Sequence, residues 1–313
     1  MTDLAILLPY YDGVDYIERG FLDEVLDAAA AATPETAVLA LDDASTDATR
    51  ERLRDRSRLT VLGHTENTHY VGSVNDLLRY ASDRLDPSAF MLLDQDATLD
   101  AGAIDRLWET LRANDRLGVV QPLVRDFRGG IYSAGHRFNR YRMCHPITRE
   151  PGIDDRLLRR PSVTLLGTVV RAEVVAEVGI LDERFGIYWE SSDLGFRARK
   201  RGWDVALEPR AVARHDRYLS ETDSGGLYHV YRNWPLFWAK YDPPTARRIL
   251  DEYWPSTDGL AVGAVTEDVE EPADADFLAR AAADARERLG AFVRTVEYRM
   301  DDCPADRATV VQD

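Results

Sequence analysis

Cysteine, lysine and long apolar segments are all scarce in this 313-residue chain. The two cysteines, Cys144 and Cys303, are too few for a disulfide framework or a cysteine-rich zinc site. No segment reaches the roughly 20 consecutive apolar residues that span a bilayer, and no basic residues precede the apolar N-terminal stretch as they do in a signal peptide. These absences predict a soluble, cytoplasmic protein without a transmembrane segment.

Basic residues are outnumbered by acidic ones. Lys and Arg total 39 against 55 Asp and Glu, which gives a formal net charge of −16 and argues against nucleic acid as a partner. Lysine occurs only at Lys200 and Lys240, so nearly all the basic residues are arginine. Two explanations stay open: a coding bias, or adaptation to high salt, in which surface carboxylates keep the protein hydrated. The hydrophobic content of 45% is that of a folded domain.

Strand and helix patterns alternate through the first 120 residues. Short apolar segments that end at polar residues or glycine predict buried strands at 4–8, 38–41, 59–62 and 90–93. Helically spaced apolar residues lie between these segments, so the pattern predicts βαβ units and a parallel sheet covered on both faces. Farther along, the pattern predicts mixed strands and loops to about 160, then helices near 171–178, 190–201 and 278–296, with a short strand at 204–207.

Polar residues follow three of the predicted strands. They are Pro9-Tyr10-Tyr11-Asp12, Asp42-Asp43 and Asp94-Gln95-Asp96. Because open α/β sheets bind ligands outside the carboxyl ends of their strands, this arrangement predicts a site there. The carboxylates of Asp94 and Asp96 suit a hard divalent cation that also holds diphosphate oxygens. The alternative is an acidic loop or a helix cap.

The order of these and later motifs resembles the inverting nucleotide-sugar glycosyltransferases of family 2. The resemblance extends over about residues 3–240 and rests on a series of short motifs. They are Pro9-Tyr10-Tyr11, 42–47, Asn67, Asn75, 93–96, Gly167-Thr168, 181–185, 189–194, Arg197, Gly202, Pro209, His215 and 228–233. It implies a GT-A fold, an α/β architecture with a Rossmann-like, mostly parallel central sheet and flanking helices. The Asp-Gln-Asp form is most similar to the rhamnosyltransferase branch.

The resemblance also implies a division of the chain. Residues 1–240 would form the glycosyltransferase domain, with a nucleotide-sugar and metal half at 1–120 and an acceptor half at 121–240. A helical C-terminal extension at 241–300, with an acidic linker within it, and a loose tail at 301–313 would follow.

Positions that match the family's donor and metal sites are identified residue by residue. The donor-binding residues implied are Pro9, Tyr10, Asp12, Asp43, Asn75 and Asp94. The metal-binding residues implied are Asp94, Asp96 and His215, with Mn²⁺ or Mg²⁺ as the cation. His69 stands where the family usually has glycine, so its side chain either contacts substrate or lies at the surface.

The general base is the role for which the sequence departs from the family. Ser191 occupies the position of the usual aspartate, and a serine hydroxyl cannot take the acceptor's proton unaided. Asp193 is the first candidate for the base and Glu190 the second. Alternatively, Asp193 caps the helix and Glu190 binds the acceptor.

The expected reaction is a metal-dependent, inverting transfer of a hexose, rhamnose in the most similar branch, from a nucleoside-diphosphate sugar. The expected acceptor is a hydroxyl of a glycan or a lipid-linked saccharide, which is compatible with peripheral contact at the inner face of the membrane. A non-catalytic nucleotide-sugar-binding protein is the alternative that Ser191 favours. A nucleotidyltransferase is less favoured, because no Gly-rich, basic phosphate loop follows the first strand.

Overall fold

The structure is a computed structural model that describes residues 2–139, 141–149, 153, 155–216, 224–253, 275–293 and 309–310. The strands are β1 (Leu4–Tyr10), β2 (Thr36–Asp42), β3 (Thr60–Gly63), β4 (Ala89–Leu92), β5 (Ala97–Leu99), β6 (Leu117–Asp126), β7 (Ile131–Ser133), β8 (His136–Phe138), β9 (Cys144–Pro146), β10 (Leu158–Arg159), β11 (Thr168–Arg171), β12 (Asp204–His215) and β13 (Thr309–Val310).

The helices lie between and after these strands. They are α1 (Val14–Glu18), α2 (Phe21–Ala31), α3 (Thr49–Arg54), α4 (His69–Arg84), α5 (Ala103–Arg112), α6 (Ala172–Val178), α7 (Glu190–Lys200), α8 (Ser224–Tyr241), α9 (Pro243–Arg248) and α10 (Ala275–Val293), with a 3₁₀ turn at Glu183–Phe185 and a π turn at Ile249–Tyr253. Within the described part of the chain, no helix is both long enough and apolar enough to cross a membrane.

The central sheet has the strand order β10-β12-β6-β11-β4-β1-β2-β3-β13. Parallel pairing joins β3, β2, β1 and β4, and a second parallel pair is formed by β6 and β12. Between these groups, β11 is antiparallel to both β4 and β6, so all six of the parallel-paired strands run in one direction. This arrangement confirms the predicted α/β class with a mostly parallel sheet.

Strand β1 is apolar throughout because helices cover both faces of the sheet. All seven of its residues are buried. Ile6 packs in the core beneath α2 and α5, whereas its neighbour Leu7 packs in the core beneath α4 and α6. Alternate side chains of a strand point to opposite faces, so a strand with two covered faces has a continuous apolar sequence.

The second half of the sheet is built on longer strands than the sequence pattern indicated. The short strand predicted near residue 204 continues through a bulge to His215, and it pairs with β6 over most of its length. Its end also pairs antiparallel with β5, with Ala97 opposite His215. This register places His215 directly beside the end of the Asp94-Gln95-Asp96 segment.

Helices α8, α9 and α10 pack together around a third apolar cluster that includes Tyr231, Phe237 and Phe292. Of the predicted loose tail, Thr309–Val310 pair with β3, and the rest lies outside the described residues. The predicted acidic linker falls almost entirely outside them as well.

A buried ammonium group joins α8 to the rest of the domain. The Lys240 Nζ atom lies 2.9 Å from an oxygen of Asp182 and 2.5 Å from an oxygen of Asp193, and all three side chains are fully buried. Arg184 donates to both oxygens of Asp182, and Arg197 binds the second oxygen of Asp193 at 2.8 Å. Each buried carboxylate is therefore paired with two cations.

Replacing Lys240 by methionine should destabilise the protein strongly, because Asp182 and Asp193 would each lose a buried counter-ion. Removal of one partner of a buried ion pair costs about 3–5 kcal/mol. Urea denaturation measures this loss. The matched control is Lys200→Met, since Lys200 is exposed and its loss should cost less than about 1 kcal/mol. Equal losses in the two variants would contradict the role assigned to Lys240.

Candidate active site

Asp94, Asp96 and His215 meet at the carboxyl end of β4. The Nε2 atom of His215 lies 3.2 Å from an oxygen of Asp96, and the backbone N–H of Asp216 donates to the Asp96 carbonyl. The imidazole of His215 is buried and packs against the Tyr132 ring at 4.3 Å between centroids. The structure thus brings Asp96 and His215 into contact and places Asp94 close enough to interact electrostatically with both.

Several buried polar atoms of this group have no hydrogen-bond partner among the described residues. They are Oδ1 of Asp94, Oδ1 of Asp96 and Nδ1 of His215. Burial, and next the charge of Asp96, raise the pKa of Asp94 to about 7. The unpaired carboxylate oxygens and imidazole nitrogen could coordinate a divalent cation, which would also offset the repulsion between the two carboxylates. The residues therefore fit a metal ion.

The described residues do not include three acidic, histidine or cysteine side chains already arranged around a common point. A cation here would therefore be held by few protein ligands. Mg²⁺ is commonly bound in this way, through one or two carboxylates completed by water and substrate phosphates.

Gln95, the middle residue of the acidic motif, holds the loop after β1. Its side-chain oxygen accepts from the Tyr11 N–H at 2.9 Å, and its side-chain nitrogen donates to the Tyr11 carbonyl at 3.1 Å. A Cβ atom on Gly13 would lie 2.4 Å from the Gln95 oxygen, so any other residue there would require the Gln95 side chain to shift. Asp12 accepts from the N–H of Thr46, which ties the same loop to the segment after β2.

The predicted donor-binding residues of β1 have different exposures. Pro9 and Tyr10 are buried, and burial raises the pKa of the Tyr10 phenol. Tyr11 and Asp12 are exposed beside them. A nucleotide at this edge would contact the exposed pair and the loop backbone more readily than the buried ring of Tyr10.

Asp43 belongs to a buried chain of carboxylate and imidazole groups. Its Oδ1 atom lies 2.7 Å from His64 Nδ1 and accepts from the Thr68 N–H at 2.8 Å. His64 Nε2 lies 2.9 Å from Asp76, which Arg79 binds in turn. Burial alone would lower the pKa of His64, but the hydrogen bonds and charges of the two carboxylates outweigh it and raise that pKa.

Asn75 has the contacts of a structural residue. It is fully buried, its side-chain nitrogen donates to the Leu181 carbonyl at 2.9 Å, and its oxygen accepts from the Leu181 N–H at 3.0 Å. Both polar groups of the amide are thus used to join α4 to the segment before α7. These contacts differ from the donor-binding role predicted for Asn75.

Glu190 and Asp193 occupy contrasting environments although both lie in the first turn of α7. The Oε2 atom of Glu190 is buried without a hydrogen-bond partner in the described part of the chain. Burial, followed by nearby carboxylates including Asp94, raises the pKa of Glu190 to about 7. Burial also opposes ionisation of Asp193, but Lys240 and Arg197 lower its pKa overall. Ser191, which lies between them in the sequence, is also buried.

Two residues of the site, His64 and Tyr70, were not predicted from the sequence, and Gln95 was identified only as the middle residue of the acidic motif. Tyr70, on α4, interacts through its hydroxyl with Asp94, which lies on a different element. His64 had a usable signal, because it directly follows β3 at the carboxyl edge of the sheet. His69, by contrast, is exposed and adopts a positive φ of 63° at the start of α4.

Solved structures with the same architecture define the class of fold. The mannosyltransferase PcManGT from Pyrobaculum calidifontis, solved with GDP-Man and Mn²⁺, has a TM-score of 0.56 at 17% identity over 95% of this chain and 86% of its own. GalNAc-T7, solved with UDP, GalNAc and Mn²⁺, has a TM-score of 0.64 at 13% identity. The match covers 91% of this chain and 55% of that protein. Residues 1–349 of S. aureus TarS have a TM-score of 0.54 at 15% identity, over 93% of this chain and 83% of that fragment. The fold is that of the GT-A glycosyltransferases.

The family follows from sequence. The model of glycosyl transferase family 2 matches residues 6–161. A curated relative, the N-acetylglucosaminyl-diphospho-decaprenol L-rhamnosyltransferase of Mycobacterium tuberculosis, is 28% identical over 241 residues, covering 69% of this chain and 77% of that protein. The chain contains a glycosyltransferase family 2 domain and is a glycosyltransferase.

The raised pKa of His64 makes part of the stability depend on pH. Because the pKa is higher in the folded chain than the ordinary 6.5, the contribution of His64 is fully present below that value and is lost as the pH rises through the raised pKa. The difference in unfolding free energy between wild type and His64→Gln should therefore be larger at about pH 6 than at about pH 8.5. Each tenfold gain in the proton affinity of His64 on folding is worth about 1.4 kcal/mol.

His136 is the matched control for this measurement. Burial lowers its pKa to about 4, so its contribution to stability should decline as the pH falls below 6.5. Urea denaturation across this pH range should give opposite trends for His64→Gln and His136→Gln. The same trend in both would contradict the assignment for His64.

Proposed function

We propose that the protein is a metal-dependent, inverting transferase that moves a hexose from a nucleoside-diphosphate sugar to an acceptor hydroxyl. The observation that carries the proposal is the set of buried atoms on Asp94, Asp96 and His215, at the carboxyl end of β4, that find no partner among the described residues. The solved structures of PcManGT and GalNAc-T7 hold Mn²⁺ with a nucleotide or nucleotide sugar, which supports a divalent cation here.

Donor binding is assigned to the loops at the sheet's carboxyl edge. Asp96 and His215 would hold Mn²⁺ or Mg²⁺, with Asp94 contacting the metal or the ribose. When bound, the cation would supply charge neutralisation for the departing nucleoside diphosphate. Asp43, held by His64 and Thr68, presents a fixed carboxylate that suits a base N–H or a ribose hydroxyl.

Glu190 is the residue that the contacts favour as general base. A base needs a free oxygen and a pKa near the working pH, and Glu190 has both. Asp193 has neither, because its two oxygens are occupied by Lys240, Tyr241 and Arg197. Ser191 favoured the alternative of a non-catalytic binding protein, because the usual aspartate base is missing. If Glu190 takes the proton, the missing aspartate no longer supports that alternative.

The acceptor is proposed to be a lipid-linked saccharide, and the donor a nucleoside-diphosphate rhamnose. The support is the sequence similarity to the mycobacterial rhamnosyltransferase, whose name gives N-acetylglucosaminyl-diphospho-decaprenol as its acceptor. Peripheral contact with the inner face of the cytoplasmic membrane would accompany such an acceptor.

Asp96→Ala should abolish the Mn²⁺-dependent rise in melting temperature that a nucleoside diphosphate produces, because ligand binding stabilises the folded chain by mass action. His215→Ala should reduce this rise without abolishing it, since water can replace one neutral ligand. Asp100→Ala is the matched control, since Asp100 follows β5 and pairs with Arg214 instead. Retention of the full Mn²⁺ dependence in Asp96→Ala would contradict the metal assignment.

Glu190→Gln should lower kcat by about 10²–10⁴-fold while donor binding stays near that of wild type, because only the proton acceptor is lost. The assay follows nucleoside diphosphate released from nucleoside-diphosphate rhamnose with a short-chain N-acetylglucosaminyl-diphospho-polyprenol. In wild type, kcat should fall as the pH drops below the pKa of Glu190, about 7 in the metal-free chain. The kcat of Ser191→Ala should be close to that of wild type. Normal turnover by Glu190→Gln would exclude it as the base.

A further inference from the structure

The turn that leads into Glu190 has an unfavourable backbone. Gly186, Tyr188 and Trp189 have φ values of +73°, +64° and +73°. Glycine adopts this region freely, but two consecutive aromatic residues do not, because their Cβ atoms crowd the backbone. Such a conformation persists only where surrounding contacts hold it, and it occurs often at functional sites.

Asn233 of α8 supplies those contacts. Its side-chain nitrogen lies 3.0 Å from the carbonyl oxygen of Phe185, 2.8 Å from that of Ile187 and 2.9 Å from that of Tyr188. The Asn233 side-chain oxygen accepts from Arg232 Nε at 2.8 Å, which fixes the orientation of the amide. One fully buried amide thus gathers three carbonyls of the turn.

Neighbouring residues of α8 hold the same turn. Arg232 also donates to the Phe185 carbonyl, and the Trp189 indole N–H donates to the Val230 carbonyl at 2.9 Å. The Trp189 ring packs against Phe237, with 5.1 Å between centroids. Trp189 is the residue directly before Glu190, and its carbonyl accepts the first backbone hydrogen bond of α7.

We propose that Asn233, supported by Arg232, is a positioning residue for Glu190. It holds the strained turn, and through it the start of α7, in the conformation that sets the position of the Glu190 carboxylate. The proposal rests on the proposed function, in which Glu190 is the general base. It gives a catalytic reason for the Arg-Asn pair at the end of the family motif near residues 228–233.

Asn233→Ala should lower kcat by about 10–100-fold, because a misplaced catalytic group loses rate steeply with distance. Binding of a nucleoside diphosphate with Mn²⁺ should change little, since Asp94, Asp96 and His215 lie on other elements. Leu236→Ala, a buried cavity variant on the same helix, is the control for general destabilisation. Arg232→Lys, which keeps the charge, should show a smaller loss in kcat and tests the proposal if Asn233→Ala does not fold.

The double variant Glu190→Gln with Asn233→Ala separates positioning from simple structural support. If Asn233 acts through Glu190, adding Asn233→Ala to Glu190→Gln should cost no further kcat. An equal loss in both backgrounds, or a loss in Asn233→Ala no greater than in Leu236→Ala, would overturn the positioning role while leaving the base in place. Normal turnover by Glu190→Gln alone would instead overturn the proposed base, and the positioning role with it.

Discussion

The pairing of Lys240 with Asp182 and Asp193 is the interaction on which the second half of the domain depends. Asp182, between α6 and α7, and Asp193, in the first turn of α7, are both buried, and burial without a counter-ion would cost several kcal/mol each. Lys240 reaches both from the last turn of α8, so this helix is needed to neutralise the two buried charges. The chain contains only one other lysine, so the use of lysine at this position stands out against the abundant arginine.

Two other buried carboxylates, Glu190 and Asp94, each have one oxygen with no hydrogen-bond partner among the described residues. Glu190 and Asp193 are three residues apart on one helix, yet the pKa of Glu190 is raised to about 7 while that of Asp193 is lowered. The pKa of Asp94 is raised in the same way as that of Glu190. Buried acids with raised pKa values often lie in functional sites, because substrate or metal supplies the missing partner. The contrast separates the carboxylates that build the domain from those proposed to act in it.

Contacts between distant parts of the chain assemble the site from both halves. The end of β12 pairs with β5, which brings His215 against Asp96 across more than 100 residues of sequence. The turn before α7 is held by α8, and α10 packs on that helix in turn. Strand register therefore fixes the carboxyl edge of the sheet, where the donor is proposed to bind. Helix packing fixes the position of the candidate base.

The amino-acid sequence determined the α/β class, the first four strands and the polar residues at their ends, because apolar periodicity and strand-end chemistry are local properties. It also indicated Asp94 and Asp96 from their place after β4. The length of β12, the structural contacts of Asn75 and the engagement of Asp193 by Lys240 were decided only by tertiary structure. Each depends on a partner far away in the chain, and neither residue type nor spacing tells which of two neighbouring acids will find a buried cation.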